Sequence, residues 1–228
     1  MSLVPVFCRL RCPECYTAFP AEVMKGTGSG GFLESDLCYR AGSIFVYPFF
    51  VVVCPGCRFA ANYEEFDYLG GFPRYSEYHP IQRALGKFLR EQRALYPGSE
   101  KYRLAVIWQR RRKAPVMRLA RLHLRGSWCA RYEGDPEAER YHQEQAVRLF
   151  QGALAQGCGG VEAAVTGYLV GELYRRLGRF SEAESVFGGL KEDSLPEWLR
   201  PGFRAMRDLA ALRDDSPKVL PSNYSAVT

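Results

Sequence analysis

The chain has 228 residues, of which 47% are hydrophobic and 25% charged, and it carries a net charge of +6. This composition is typical of a folded globular protein and excludes a disordered or collagen-like chain. The longest apolar run, Ile44 to Cys54, is interrupted by Pro48 and is shorter than the roughly 20 residues that a membrane-spanning helix needs.

The role expected for the eight cysteines depends on the cellular compartment of the protein. The N-terminal residues lack the basic start, apolar core and cleavage site of a secretory signal, so we expect a cytoplasmic protein with no membrane partner. In a reducing compartment, Cys-x-x-Cys pairs are metal ligands or redox thiols more often than disulfides. The chain has two such pairs, Cys12/Cys15 and Cys54/Cys57, each within a Cys-Pro-x-Cys turn.

These two turns predict one four-cysteine zinc site. Each turn supplies two thiolates at the spacing that a single ion can bind, and zinc accepts four sulfur ligands in a tetrahedron. A closed set of four thiolates leaves no position for water or substrate, so we expect a structural site rather than a catalytic one. Iron in a rubredoxin-like redox site is the alternative, because iron accepts the same ligands.

Residues near the turns bear on the charge and geometry of the site. Four thiolates on a divalent ion leave excess negative charge, which Arg9, Arg11 and Arg58 could offset. Turns of this kind commonly have glycine directly after the second cysteine, where φ is positive. Tyr16 and Arg58 occupy those places here, at a cost of ~1 kcal/mol each if the geometry is kept. Cys38 is a possible further metal ligand or a thiol beside the site, and a buried apolar role is the alternative.

Residues 1–78 are expected to form a small zinc-ribbon-like β module. Alternating apolar positions predict extended chain over residues 5–25, and the Phe-, Tyr- and Val-rich segment from Ile44 to Val53 predicts a strand entering the second turn. The capping-box spacing of Asn62 and Glu65 predicts a short helix through Tyr68. We place the domain boundary near residue 78.

From Pro80 onward the apolar residues recur with the helical period, which predicts an all-α domain over residues 79–213. Glycine- and proline-rich breaks divide it into seven helices. The composition of residues 214–228 predicts a disordered tail. The expected fold class is therefore α+β, a zinc-ribbon-like module followed by a tetratricopeptide-like helical domain.

The stretch from Gly171 to Phe187 resembles a tetratricopeptide repeat in its order of small and aromatic residues, and a degenerate copy aligns over Ser127–Phe150. Stacked repeats of this kind bind protein segments on their concave face. The residues expected to line that face and bind a protein partner are Tyr168, Glu172, Arg175 and Arg176.

Positive charge is concentrated between Ile81 and Arg131, where fourteen basic and two acidic residues give +12. Such a basic section predicts a nucleic-acid or anion-binding surface as an alternative function. The aromatic residues of this section, however, lie at core spacing, and an arginine-rich composition can reflect a GC-rich genome. The candidate residues are Arg83, Lys87, Arg90, Arg110, Arg111, Arg112, Lys113, Arg118, Arg121 and Arg125.

Together these features resemble an uncharacterised bacterial family, domain of unknown function 2225, over nearly the whole chain. The matching positions are the two Cys-Pro-x-Cys turns, Asp36 and Cys38 between them, the apolar strand over Val51 to Val53, and the repeat from Gly171 to Phe187. The resemblance implies the fold and the metal site and brings no known activity.

We therefore expect a non-catalytic zinc protein whose helical surface binds a protein partner. No histidine has ligand spacing or a neighbouring nucleophile, so no enzyme activity is expected. A nucleic-acid-binding protein using residues 83–131 is the alternative, and a rubredoxin-like redox protein is the third hypothesis.

Overall fold

The computed structural model describes residues 4–25, 30–40, 45–72 and 80–221. The chain forms two compact units, which are described separately. The first is drawn from Met1–Ser29, Ala41–Ala114 and Arg125–Glu139, and the second from Gly30–Arg40, Pro115–Leu124 and Arg140–Thr228. Within the described residues, no helix combines the length and the apolar composition needed to cross a bilayer.

Seven strands are present in the described part of the chain. β1 and β2 are the long ones, and β1 lies at the centre of an antiparallel sheet with the order β2-β1-β7. β5 pairs with β6, and β3 pairs with β4, in two separate antiparallel ladders. The strands are β1 (Val4–Arg11), β2 (Ala18–Lys25), β3 (Phe32–Leu33), β4 (Tyr39–Arg40), β5 (Val51–Val53), β6 (Ala60–Asn62) and β7 (Asp67–Gly71).

The described residues from Pro80 onward are mainly helical, as the periodicity predicts. The helices are α1 (Pro80–Leu95), α2 (Gly98–Arg111), α3 (Val116–Glu133), α4 (Pro136–Ala155), α5 (Gly160–Arg176), α6 (Phe180–Gly189) and α7 (Arg200–Ala211). The mixed α+β class, with strands and the cysteines first and helices after them, is confirmed.

The sheet of the first unit follows the predicted alternation. Phe19, Ala21 and Val23 on β2 are buried, and so are Cys8 and Leu10 on β1. These side chains form one apolar cluster together with Cys12 and Cys54, so the core of this unit lies directly behind the two cysteine turns.

Two local predictions in this region are wrong. Tyr47–Phe49 forms a 3-10 turn, so the strand before the second cysteine turn is limited to Val51–Val53, because Pro48 has no N–H to donate to a ladder. Tyr63–Glu65 forms another 3-10 turn, in which Glu64 N donates to Asn62 Oδ1 over 3.1 Å. The chain then enters β7 instead of continuing as a helix, since pairing with β1 satisfies its backbone groups.

Helices α1 and α2 belong to the same compact unit as β1, β2, β5, β6 and β7. Tyr102 on α2 is fully buried, and its hydroxyl donates to Tyr47 O over 3.0 Å. The domain boundary is expected near residue 78, which lies outside the described residues. The described helices on its C-terminal side extend the core of the strand unit, because α2 packs on β5 and β6.

In the second unit, α5 and α6 form a helical hairpin. A Cβ atom at Gly171 would lie 2.4 Å from Phe187 Cε1, so only glycine lets the Phe187 ring pack at this place. Gly178, with φ +70°, terminates α5. The hairpin has the contacts that its small and aromatic residues predict, and its assignment as a tetratricopeptide repeat stays a prediction.

The segment after α7 is ordered up to residue 221, whereas the sequence predicts disorder from residue 214. Glu34 and Val219 form an antiparallel bridge, and Leu220 N donates to Leu33 O over 2.8 Å. The Leu220 side chain is buried against Gly202. An apolar anchor and backbone pairing thus hold this part of the tail, and residues 222–228 lie outside the described residues.

Candidate metal centre

The two cysteine turns have the same backbone geometry. In the first, Tyr16 N donates to Cys12 O over 2.9 Å and Cys12 N donates to Thr17 O over 3.0 Å. In the second, the equivalent bonds are Arg58 N to Cys54 O (2.9 Å) and Cys54 N to Phe59 O (2.8 Å). β1 delivers the first turn and β5 delivers the second, so two ladders fix the positions of the four sulfurs.

The four sulfur atoms converge on one point. All lie within 4.8 Å of one another, and the Cys12–Cys57 and Cys15–Cys54 Sγ distances are 3.7 and 3.6 Å. A tetrahedron with Zn–S bonds of about 2.3 Å has sulfurs about 3.8 Å apart. A disulfide would need about 2.05 Å. The geometry therefore fits a four-coordinate metal and excludes disulfides.

Tyr16 and Arg58 have positive φ angles of 60° and 61°. Each follows the second cysteine of its turn, where glycine is the residue without steric cost. Both turns thus keep the positive-φ geometry, although neither residue is glycine. Each non-glycine residue here raises the free energy of the folded state by ~1 kcal/mol relative to the right-handed region.

The environments of the thiols differ. Hydrogen bonding to Thr17, whose Oγ1 lies 3.2 Å from Cys15 Sγ, lowers the pKa of Cys15 to about 6. Burial raises the pKa of Cys57 to about 12 and also raises the pKa of Cys54. Gly56 N lies 3.4 Å from Cys54 Sγ and points a backbone donor at it, as expected beside a metal-bound thiolate.

The side chain of Arg112, the residue directly after α2, lies beside the turns. Arg112 forms ion pairs with Glu14, inside the first turn, and with Glu65 at 3.1 Å, and its guanidinium lies over the Phe59 ring. Trp108 Nε1 donates to Arg58 O over 2.9 Å. The C-terminal end of α2 thus braces both turns. This role was not predicted, because a basic run at a helix end gives no sign of what it packs against.

Among the arginines expected to offset the thiolate charge, Arg11 pairs with Asp67 at 3.0 Å. Arg9 and Arg58 are exposed. Arg112 pairs with Glu14 and Glu65, so it neutralises carboxylates beside the turns and not the thiolates themselves.

The four thiolates are a donor set that fits zinc, and together they form a closed coordination site. Cys12, Cys15, Cys54 and Cys57 would hold the ion, and bound zinc would link two ladders that lie far apart in sequence. Cys12 and Cys54 are fully buried. Among the histidine, cysteine, aspartate and glutamate side chains of the described residues, the group that could hold one ion here comprises these four cysteines.

Cys38 does not join this cluster. It belongs to the second unit, where it is buried and its backbone N–H lies 3.3 Å from Asp36 Oδ1. A role of Cys38 as a ligand or as a thiol beside the site stays a prediction, and its burial agrees with the alternative role of a small apolar side chain.

The residues expected to bind a partner on the helical face lie mostly inside the second unit. Tyr168, Glu172 and Arg175 are fully buried, and Arg176 is partly buried. Tyr168 Oη donates to Ser35 O over 2.7 Å, and Ser35 Oγ donates to Glu172 Oε1 over 2.6 Å. The prediction that these side chains line an accessible concave face is wrong for Tyr168, Glu172 and Arg175, because residues of the same chain cover them.

The candidate nucleic-acid residues are mostly exposed, but several are engaged within the chain. Arg112 pairs with Glu14 and Glu65, and Arg121 pairs with Glu162 at 2.7 Å. Arg111 lies 5.1 Å from the centre of the Trp108 ring. Lys87 lies 3.9 Å from Glu91. Arg125 is partly buried, and Arg83, Lys87, Arg90, Arg110, Lys113 and Arg118 are exposed.

Comparison with known proteins identifies a bacterial family. A family model described as an uncharacterised protein conserved in bacteria, DUF2225, matches residues 8–197, which include all four clustered cysteines. Searches of curated proteins and of solved structures give no match.

Proposed function

This chain belongs to the bacterial DUF2225 family, and we propose that it is a non-catalytic zinc protein that binds a protein partner. Four thiolates accept zinc or iron, and we propose zinc because a closed four-cysteine set joining two ladders is the usual form of a structural zinc site. The support for a structural role is that two of the four thiols are fully buried within the apolar core.

The observation that carries the partner-binding proposal is Tyr16. Its side chain is 73% exposed, and its backbone has a φ of 60°, which disfavours any residue with a Cβ atom. An exposed aromatic ring at this place contributes little to folding, and glycine would relieve the strain. Strained residues of this kind are found at functional sites, and tyrosine is enriched in the energetic centres of protein interfaces.

The neighbouring edge strand provides further surface. Tyr68 and Leu69 on β7 are 55% and 41% exposed. β7 pairs with the end of β1 that leads into the first cysteine turn, through Leu10↔Tyr68 and Arg11↔Asp67. The proposed interface therefore consists of Tyr16 and the edge strand β7, in place of the buried face of α5.

Site-specific photo-crosslinking in the source organism tests this proposal. A benzophenone amino acid at position 16 should give a crosslink to a defined protein, identified by mass spectrometry, whereas the same group at position 141 should not. Tyr141 is a suitable control because it is a 45% exposed aromatic on α4. Identical products from both positions, or no product from position 16, would contradict the proposal.

Nucleic-acid binding is the competing proposal, supported by the exposed basic face of α1. Arg83, Lys87 and Arg90 are all exposed there. Binding of single- or double-stranded probes at low salt, lost in Arg83→Glu/Arg90→Glu, would favour it. Equal retention of the variant and the unsubstituted protein on heparin would count against it.

A further inference from the structure

The first unit contains a cavity of about 490 Å³ beside α2. It is bounded by β2, the segment around Pro48, β5, α1, the start of α2 and the end of α3. Its walls are mainly aromatic and aliphatic, and the rings that line it are Phe19, Phe45, Phe49, Tyr96 and Tyr132. This volume and this lining are typical of sites for small organic ligands.

Lys101 is a cationic residue in the mainly apolar wall of this cavity. It lies in the first turn of α2, where the helix dipole disfavours positive charge. Its Nζ donates to Pro48 O over 2.9 Å, and none of the described carboxylates forms an ion pair with it. The Lys101 ammonium is half-buried and has lost part of its hydration. A hydrogen bond to a neutral carbonyl does not fully replace the lost water.

The other charges facing the cavity are already engaged. Glu133 on α3 accepts from Ser99 Oγ over 2.6 Å and from the backbone at the start of α2. Glu22 on β2 pairs with Arg93 on α1 at 3.5 Å. The Cys129 thiol on α3 is close enough to Lys101 to raise the pKa of Lys101. Of the two cations that line the cavity, Arg93 is thus ion-paired, whereas Lys101 is hydrogen-bonded to the neutral Pro48 carbonyl.

We propose that this cavity binds a small monocarboxylate with an aliphatic or aromatic body, whose carboxylate accepts a hydrogen bond from Lys101. The apolar body lies among the aromatic rings, and the carboxylate supplies the charge that the Pro48 carbonyl cannot. A singly charged head group matches the site better than a phosphate dianion, because Arg93 already pairs with Glu22. This role is separate from partner binding at Tyr16.

The charge state of Lys101 gives the proposal a pH signature. Burial is the main cause that lowers the pKa of Lys101, to about 8, although Cys129, Glu22 and Glu133 act in the opposite direction. The charged fraction in the free protein falls as the pH rises through 8, so carboxylate affinity falls too. A neutral ligand of the same length should show no such dependence.

Calorimetric titration of the zinc-loaded full chain with decanoate tests the proposal, with decanol as the neutral control. We expect saturable binding of decanoate at pH 7, about tenfold or more tighter than that of decanol, since a charge-assisted hydrogen bond is lost with the alcohol. Decanoate binding that weakens between pH 7 and pH 9, with decanol unchanged, is the second expected result. Equal affinities, no saturation, or no pH dependence would overturn the proposal.

Two lysine variants localise the effect. Lys101→Met removes the charge but keeps the length, and it should reduce decanoate affinity about tenfold while leaving decanol affinity unchanged. Lys87→Met is the matched control, because its ammonium is exposed on α1 at 3.9 Å from Glu91. A loss of decanoate binding in Lys87→Met equal to that in Lys101→Met would contradict the assignment. If Lys101→Met does not fold, the comparison of decanoate with decanol on the unsubstituted protein decides the question.

Discussion

Arg175 Nε donates to Glu172 Oε2 over 2.8 Å, and both side chains are completely buried within the second unit. A second bond, Nη2 to Oε1 at 2.7 Å, makes the pair bidentate. Arg175 also donates to Ser216 O over 3.0 Å, so this pair holds the segment that follows α7. Burial raises the pKa of Glu172 in spite of Arg175, so the carboxylate depends on its partners to stay charged.

Removing the cation of this pair should be strongly destabilising. Arg175→Met leaves the Glu172 carboxylate buried without its ion partner and should lower the free energy of unfolding by ~3–5 kcal/mol. Urea unfolding followed by circular dichroism measures this change. The double variant Glu172→Gln/Arg175→Met should recover part of the loss, because the uncompensated charge is gone.

A matched surface pair provides the control. Arg179 and Glu182 have the same sequence spacing and a 2.6 Å contact, but their side chains are 47% and 42% exposed. Arg179→Met should therefore change the unfolding free energy far less. Equal losses in the two methionine variants would show that burial of the Glu172–Arg175 pair has no energetic consequence.

The strain at the cysteine turns predicts stabilising substitutions. Tyr16→Gly should raise the free energy of unfolding by up to ~1 kcal/mol, because glycine adopts positive φ without a steric cost. Arg58→Gly should act in the same direction. Tyr16→Ala, which removes the ring but keeps a Cβ atom, should give no such gain in denaturant unfolding. Equal stabilities of the glycine and alanine variants would argue against backbone strain.

The affinity for zinc should rise with pH. The raised pKa values of Cys54 and Cys57 mean that both thiols hold protons near pH 7 and release them on binding. Cys15, with a pKa of about 6, is mostly ionised there already. The two protons released by Cys54 and Cys57 alone correspond to a rise of about 100-fold in apparent affinity per pH unit between pH 6.5 and 8. Chelator competition measures it, and a pH-independent affinity would contradict the assigned ionisation states.

Several features of the site were predictable because they depend on local sequence. The Cys-Pro-x-Cys spacing fixes two sulfurs per turn, and the turn geometry sets positive φ at the next residue, as at Tyr16 and Arg58. The helices from Pro80 onward followed from their period. The close approach of Phe187 to Gly171 agrees with the order of small and aromatic residues in that stretch.

The remaining features depend on contacts between distant residues. The period identifies Glu172 as part of an inner face, but it does not show that Ser35 lies against it, 137 residues away. Similarly, the sequence shows Arg112 only as part of a basic run, whereas in the structure Arg112 pairs with Glu14 and Glu65. The cavity at Lys101 is bounded by segments from six parts of the chain, so no single stretch of sequence indicates it.

The central claim is that four cysteines hold one structural zinc ion. Elemental mass spectrometry of the purified protein and of Cys54→Ser, together with visible absorbance and circular dichroism, tests it most directly. We expect one zinc per chain without visible-region absorbance, and loss of both the metal and the fold of the first unit in Cys54→Ser. Iron with visible absorbance, or full zinc content in Cys54→Ser, would contradict the claim.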